Sequence, residues 1–153
     1  MTTIVALSDS HATSLSSLSP ALRDALKGAD VIVHAGDQVE STVFEELKAS
    51  GNLIAVAGNM DSTALKVALP VRQLFTAEGK TIGVTHGSGA PRGIQQRVRA
   101  LFPENPDIII YGHSHVAHAG TVNGSLMVNP GPAASSYAVV TIAGDVTAHI
   151  VHL

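Results

Sequence analysis

Short unbroken apolar runs alternate along this chain with stretches in which apolar residues return every third or fourth position. The first pattern suits strands buried on both faces and the second suits helices with one buried face. Residues 4–7 read as a first strand, followed by a polar loop from Ser8 to Ser14. Leu15, Leu18, Leu22 and Leu26 then keep helical spacing. Ser19-Pro20 has the form of an N-cap with a first-turn proline, and Gly28 of a stop. Residues 31–33 give a second strand. Val39, Val43, Phe44 and Leu47 predict a second helix closing near Gly51, and residues 53–56 a third strand. This β-α-β-α-β order predicts parallel strands joined by helical crossovers.

The second half changes period. Residues 71–76 and 81–85 flank Glu78-Gly79-Lys80 as a hairpin, and Ile94, Val98, Leu101 and Phe102 mark a helix. A strand at 108–111 follows. Residues 116–122 and 125–128 flank Asn123-Gly124, the strongest short hairpin signal, and residues 137–142 and 146–151 pair around Gly144. So many strands overload one sheet, so the pattern predicts two packed sheets with helices outside.

Composition narrows the classes. The 153 residues are enough for one domain spanning 1–153, and with 45% apolar and 14% charged residues disorder is excluded. No cysteine is present, which removes disulfides and thiolate metal ligands and fits a reducing, cytoplasmic setting. Residues 1–9 lack a basic segment and meet Asp9 too early for a secretion signal, and no run is long enough to span a bilayer. A net charge of −3 gives no general attraction to nucleic acid or to an anionic membrane.

Polar residues gather at predicted strand ends. The first strand ends in Ser8-Asp9-Ser10-His11, the second in Gly36-Asp37, the third in Gly58-Asn59. Two later strands run into His86-Gly87 and into Gly112-His113-Ser114-His115. Carboxyl ends of strands line the ligand crevice of an α/β sheet, so Asp9, His11, Asp37, Asn59, His86, His113 and His115 are expected at one mouth. Oxygen and imidazole donors without thiolate suit Mn, Fe, Zn, Co or Ni. Seven donors exceed one ion and suit two that share a carboxylate. An isolated Asp-X-His or Gly-Asp is an ordinary loop element. The five motifs in order, each at a strand end, make the metal reading.

These motifs resemble the calcineurin-like metallophosphoesterase superfamily, and within it the small bacterial and archaeal phosphodiesterases. The resemblance runs from Ile4 to about Tyr137 and includes Asn129-Pro130-Gly131, with Pro132 where serine usually follows. It implies a four-layer α/β/β/α sandwich of two mixed sheets flanked by helices. It also implies a dinuclear centre, commonly manganese-supported: Asp9, His11 and His115 on one ion, Asn59, His86 and His113 on the other, and Asp37 bridging. The expected reaction is hydrolysis of a small-molecule phosphodiester by a hydroxide between the ions, with Asp37, Asn59 and His86 at the reacting centre. Family members often self-associate, so a homo-oligomer is also expected. The rival implied function is a non-catalytic scaffold for protein–protein interaction, like the small retromer subunit.

Met60 stands where many members carry a histidine that protonates the leaving oxygen. General acid help is typically worth 10²–10⁴-fold, so acidic leaving groups such as aryl esters are expected to be preferred. Asp61 is read as a helix cap, and His34 as a packed imidazole. His118, His149 and His152 are read as structural. Arg92 and Arg99 share a helix face by spacing, with Arg97 elsewhere, and Arg92 is the candidate phosphate anchor.

Overall fold

The computed structural model describes residues 1–38 and 40–153; Val39, expected at the start of the second helix, lies outside the described residues. In the first strand, β1 (Thr2–Leu7), Ile4 and Ala6 belong to one apolar cluster and Val5 and Leu7 to another. A strand whose successive side chains alternate between two buried faces must be apolar throughout, which is why residues 4–7 carry no polar position. β2 (Val31–His34) and β3 (Leu53–Ala55) follow in parallel register with β1. The helices α1 (Pro20–Lys27) and α2 (Ser41–Ser50) cover the outer face of this sheet through Leu22, Leu26, Val43 and Leu47.

A short helix α3 (Thr63–Ala68) leads to the hairpin β4 (Arg72–Ala77) and β5 (Lys80–Thr85). The helix α4 (Ile94–Ala100) and the strand β6 (Ile108–Ile110) come next. Two hairpins, β7 (His118–Val122) with β8 (Ser125–Asn129) and β9 (Ser136–Ala143) with β10 (Asp145–His152), complete the order. Two five-stranded mixed sheets result, ordered β10-β9-β1-β2-β3 and β4-β5-β6-β8-β7. Ile4, Val33, Ile82, Val84, Ile108, Ile110 and Val140 form the core between them. Ile94, Val98 and Phe102 meet Ile109, Tyr111 and Met127 on the outer face of the second sheet. The order helix, sheet, sheet, helix is the expected four-layer sandwich. Each fully buried Ile, Leu or Val contributes about 1.5–3 kcal/mol to holding it.

Local differences have local causes. Leu15 forms a separate 3-10 turn (Leu15–Ser17), because Pro20 forces the residue before it out of helical geometry and so starts α1 afresh. Ser19 caps that helix by accepting the Leu22 N–H. Gly28 closes it in right-handed geometry, with φ −90°. Asp61 is not the cap of α3; Ser62 is, accepting the Leu65 N–H. Arg92 precedes α4, whose cap is Gly93, so the shared face with Arg99 does not exist. Arg99 is buried and donates to the Phe102 and Asn123 carbonyls and to Asn105 Oδ1.

Candidate metal centre

β1, β2 and β3 run parallel, as do β5, β6 and β8, so the carboxyl ends within each set share an edge. The two edges are tied across the sandwich. His113 N–H donates to Asp9 Oδ2 at 3.3 Å and His86 Nδ1 bonds the Ala35 carbonyl at 2.7 Å, while Asp9 N–H to Gly36 O and Gly112 N–H to His86 O join neighbouring strand ends within each edge. Two glycines permit this approach. A Cβ on Gly58 would collide with Asp37, and one on Gly112 with Ser8 Oγ. Backbone strain concentrates in the same loops: Asp9, His11, Asp37, His113 and His115 all have left-handed φ between 44° and 71°. Only eight described non-glycine residues do so. Asp and His tolerate that region better than most side chains, yet each instance costs of order 1–3 kcal/mol. Five in one cluster mark a site where geometry is enforced by the surroundings.

The seven candidate residues come together as a buried floor and an exposed rim. Asp9, Asp37 and His86 are almost wholly buried. One oxygen of each carboxylate is held by protein donors: Asp9 Oδ2 by Ser8 Oγ at 2.5 Å, Asp37 Oδ1 by the Met60 N–H at 2.8 Å. The other oxygen of each points into the centre. Asp9 Oδ1 lies 3.3 Å from His115 Nε2 and 3.8 Å from His86 Nε2, buried and without a hydrogen-bond partner. Asp37 Oδ2 lies 3.2 Å from His86 Nε2 and 3.9 Å from His11 Nε2. On the rim, Asn59 Oδ1 is 3.1 Å from His86 Nε2 and 3.3 Å from His113 Nδ1.

Backbone carbonyls orient two of the imidazoles, one on the floor and one on the rim. His86 Nδ1–H donates to Ala35 O at 2.7 Å and His113 Nε2–H to Gly89 O at 3.0 Å. The opposite nitrogens, with lone pairs in the neutral rings, therefore face carboxylate and amide oxygens. Acceptors facing acceptors at 3.1–3.9 Å need a proton or a cation between them. Two ligand atoms each about 2.1 Å from one ion stand roughly 3.0–3.4 Å apart, so the spacing and the donor types fit divalent metal. Asp9, His11 and His115 offer atoms within 4.8 Å of one another, as do Asp9, Asp37 and His86. Burial opposes charge on His86, but the hydrogen bond and charge of Asp37 outweigh it and raise its pKa. Burial likewise opposes charge on Asp37, and His86, the Met60 N–H and His11 outweigh it and lower its pKa. The centre attracts positive charge.

Several supports were not visible in the sequence. Asp61 Oδ2 accepts both the Gly58 N–H, at 2.7 Å, and the Asp37 N–H, at 3.1 Å, and so joins the ends of β2 and β3. Asn129, at the end of β8, donates to Gly112 O and Ser114 Oγ and braces the His113–His115 turn. Arg97 donates to the carbonyls of Ser88, Ala90 and Arg92 and pins the loop that carries Gly89. His34 is the packed imidazole expected: Gly36 N–H donates to its Nδ1, so Nε2–H donates to Ser10 Oγ at 3.0 Å. Burial, then the charge of His86, pushes its pKa down to about 3. Arg92 is exposed.

Residues 2–151 match the calcineurin-like phosphoesterase superfamily domain. This chain belongs to that superfamily. A probable metallophosphoesterase of Methanothermobacter thermautotrophicus is 33% identical over 127 residues, 82% of this chain and 73% of the relative. A Thermotoga maritima protein solved by NMR is 34% identical with all of both chains covered and a TM-score of 0.78. More distant structures share the fold. One is an archaeal phosphodiesterase, 21% identical with 99% of each chain covered and a TM-score of 0.77. Another is Vps29 of Entamoeba histolytica in complex with Zn²⁺, 18% identical with 98% of each covered and a TM-score of 0.72. Membership makes the chain a phosphoesterase-family protein for which divalent metal is the implied cofactor.

Proposed function

We propose that this superfamily member is a phosphodiesterase that works with two divalent ions, manganese first among Mn, Fe, Zn, Ni and Co, on a small-molecule diester. The observation that carries the reading is the buried, unpartnered Asp9 Oδ1 facing imidazole nitrogens and a second carboxylate, an arrangement that gains stability only from positive charge. Asp9, His11 and His115 form one ligand set and Asn59, His86 and His113 the other. Asp37, whose Oδ2 lies between His11 and His86, would be the residue shared by the two sets. Bound there, two such ions supply Lewis acidity toward the phosphoryl oxygens and an activated water for in-line attack.

The chain's own residues orient and insulate. The floor carboxylates set the charge, Asn59 and His86 stand with Asp37 at the reacting centre, and the Ala35 and Gly89 carbonyls hold the imidazole tautomers. No serine here sits on a strand-to-helix elbow, so a protein nucleophile is not invoked. Met60, 58% exposed, offers no proton, and Asp61 Oδ2 is engaged by two N–H groups as a brace. The absent cysteines are the basis for proposing the cytoplasm, and no helix among the described residues is long and apolar enough to cross a membrane.

Exposed Met60 also favours a second reading, a metal-bearing scaffold without turnover, on a fold that Vps29 shares. Metal-stripped protein given bis-p-nitrophenyl phosphate separates the two. The expected result is hydrolysis restored by Mn²⁺, with alkyl diesters about 10²–10⁴-fold slower. Metal binding without metal-dependent turnover selects the scaffold, and equal aryl and alkyl rates refute the missing-acid argument.

A further inference from the structure

A cavity of about 500 Å³ opens beside Asn59 and His86, on one flank of the centre. Its volume is in the range of small-molecule sites. Val71 and Leu101, both exposed, give it an apolar wall. Two of the chain's nine basic residues, Lys66 and Arg72, line it, and no Asp or Glu does, in a chain whose net charge is −3. Arg72 is committed elsewhere: its two terminal nitrogens donate to both oxygens of Glu104 at 2.8 Å, and it lies over the Phe102 ring. Lys66, on α3, is exposed and has no ion-pair partner among the described residues.

The opposite flank differs. A cavity of about 460 Å³ beside His11 is lined by the hydroxyl side chains Ser10, Thr13, Ser17 and Ser19, with no Lys, Arg, Asp or Glu. A phosphoryl group held at the centre therefore has an apolar, cationic cavity on one side and an uncharged, hydroxyl-lined one on the other. A symmetric diester does not use that difference.

We propose that the Lys66 cavity is the subsite for one arm of an asymmetric phosphodiester, an arm that is apolar near the scissile phosphorus and bears a further phosphate group bound by the Lys66 ammonium. The apolar wall takes the body of the arm, and Lys66, a flexible point charge with three donors, takes the second anion. This subsite rests on the phosphodiesterase reading for its substrate, but its binding chemistry can be measured without turnover.

The test compares the p-nitrophenyl ester of thymidine 5′-phosphate with the same ester carrying a 3′-phosphate. In the Mn²⁺-loaded full chain, the 3′-phosphate is expected to raise kcat/KM about tenfold, mainly through KM. Lys66→Met is expected to bring the ratio of the two substrates to about one, and Lys66→Arg to retain most of it. Leu101→Asp, which adds a carboxylate to the cavity wall, is expected to invert the ratio, and Lys27→Met, far along α1, to leave it as in the wild type. A wild-type ratio near one, or an unchanged ratio in Lys66→Met, overturns the proposal. Calorimetric titration with thymidine 3′,5′-bisphosphate and thymidine 5′-phosphate reads the same preference without catalysis. A chain that hydrolyses no diester yet shows a Lys66-dependent preference loses the phosphodiesterase reading and keeps the subsite. Equal affinity for the two nucleotides removes the subsite alone.

Discussion

The floor and the rim of the centre are built from the same residue types and behave as different materials. Asp9, Asp37 and His86 are buried, and each has one polar atom tied to the protein and another aimed inward. On the rim, the side chains of His11 and His115 are 40% and 55% exposed. Their rings meet edge to face at 6.0 Å, and water competes for their nitrogens. The floor thus fixes where charge must sit before any ion arrives, and the rim can adjust to the ion and to substrate. The backbone does not follow this division, since His11 and His115 share the left-handed φ of Asp9 and Asp37.

The largest test of that contrast is a pair of variants. Asp37→Asn should abolish the shared charge and lower Mn²⁺-dependent hydrolysis of bis-p-nitrophenyl phosphate by about 10³-fold or more. His11→Asn, which keeps a neutral donor on an exposed loop, should lower it by about tenfold at saturating metal. If the centre holds two ions as proposed, metal content by mass spectrometry should show loss of both in the first variant and weakened binding in the second. Equal losses would mean that burial does not separate the two layers.

A smaller effect is expected one layer down. Asp61 is not itself a candidate ligand, yet its carboxylate receives the Gly58 and Asp37 N–H groups. Asp61→Ala leaves two buried donors unpaired, at about 1–3 kcal/mol each, and should weaken metal affinity by about 10–100-fold. Asp61→Asn retains an acceptor oxygen and should recover most of both losses. Metal titration and denaturant unfolding of the three proteins decide it; an alanine variant that binds metal like the wild type would make Asp61 a bystander.

Asp61 also shows where reading the sequence stops. The strand ends that carry the candidate ligands were legible, because apolar runs terminate at Asp9, Asp37, Asn59, His86 and His113 within a few residues. Ser19-Pro20 and Asn123-Gly124 were legible too, since each acts through its own neighbours: Asn123 and Gly124 take the positive φ that a tight hairpin requires. The roles of Asp61, Arg97 and Arg99 were not. Asp61 lies next to a real cap, so local chemistry gave it a plausible but wrong role. Arg99 sits where helical spacing suggests a solvated face, while its partners at Asn105 and Asn123 exist only after the second sheet has formed. Arg97 binds carbonyls, which every residue has, so no side-chain pattern announces it. The two cavities were equally invisible, because their walls come from segments distant in sequence.

The smallest expected effect lies beneath the floor, at His34. This ring is fully buried and accepts the Gly36 N–H, and its pKa in the folded protein is about 3 against an ordinary 6.5. Its lowered folded pKa means that the unfolded chain takes up a proton below pH 6.5 while the native ring does not. Stability of the metal-free protein should therefore fall, by at most about 1.4 kcal/mol per pH unit from this residue, between roughly pH 6.5 and 3. Above pH 6.5 the contribution vanishes. Denaturant unfolding of metal-free wild type and His34→Gln at pH 7, 6 and 5 should show the two curves diverging on the acid side, with the wild type losing more. Parallel curves would mean that His34 takes up a proton in the folded state after all, and that water reaches beneath the floor as it reaches the rim.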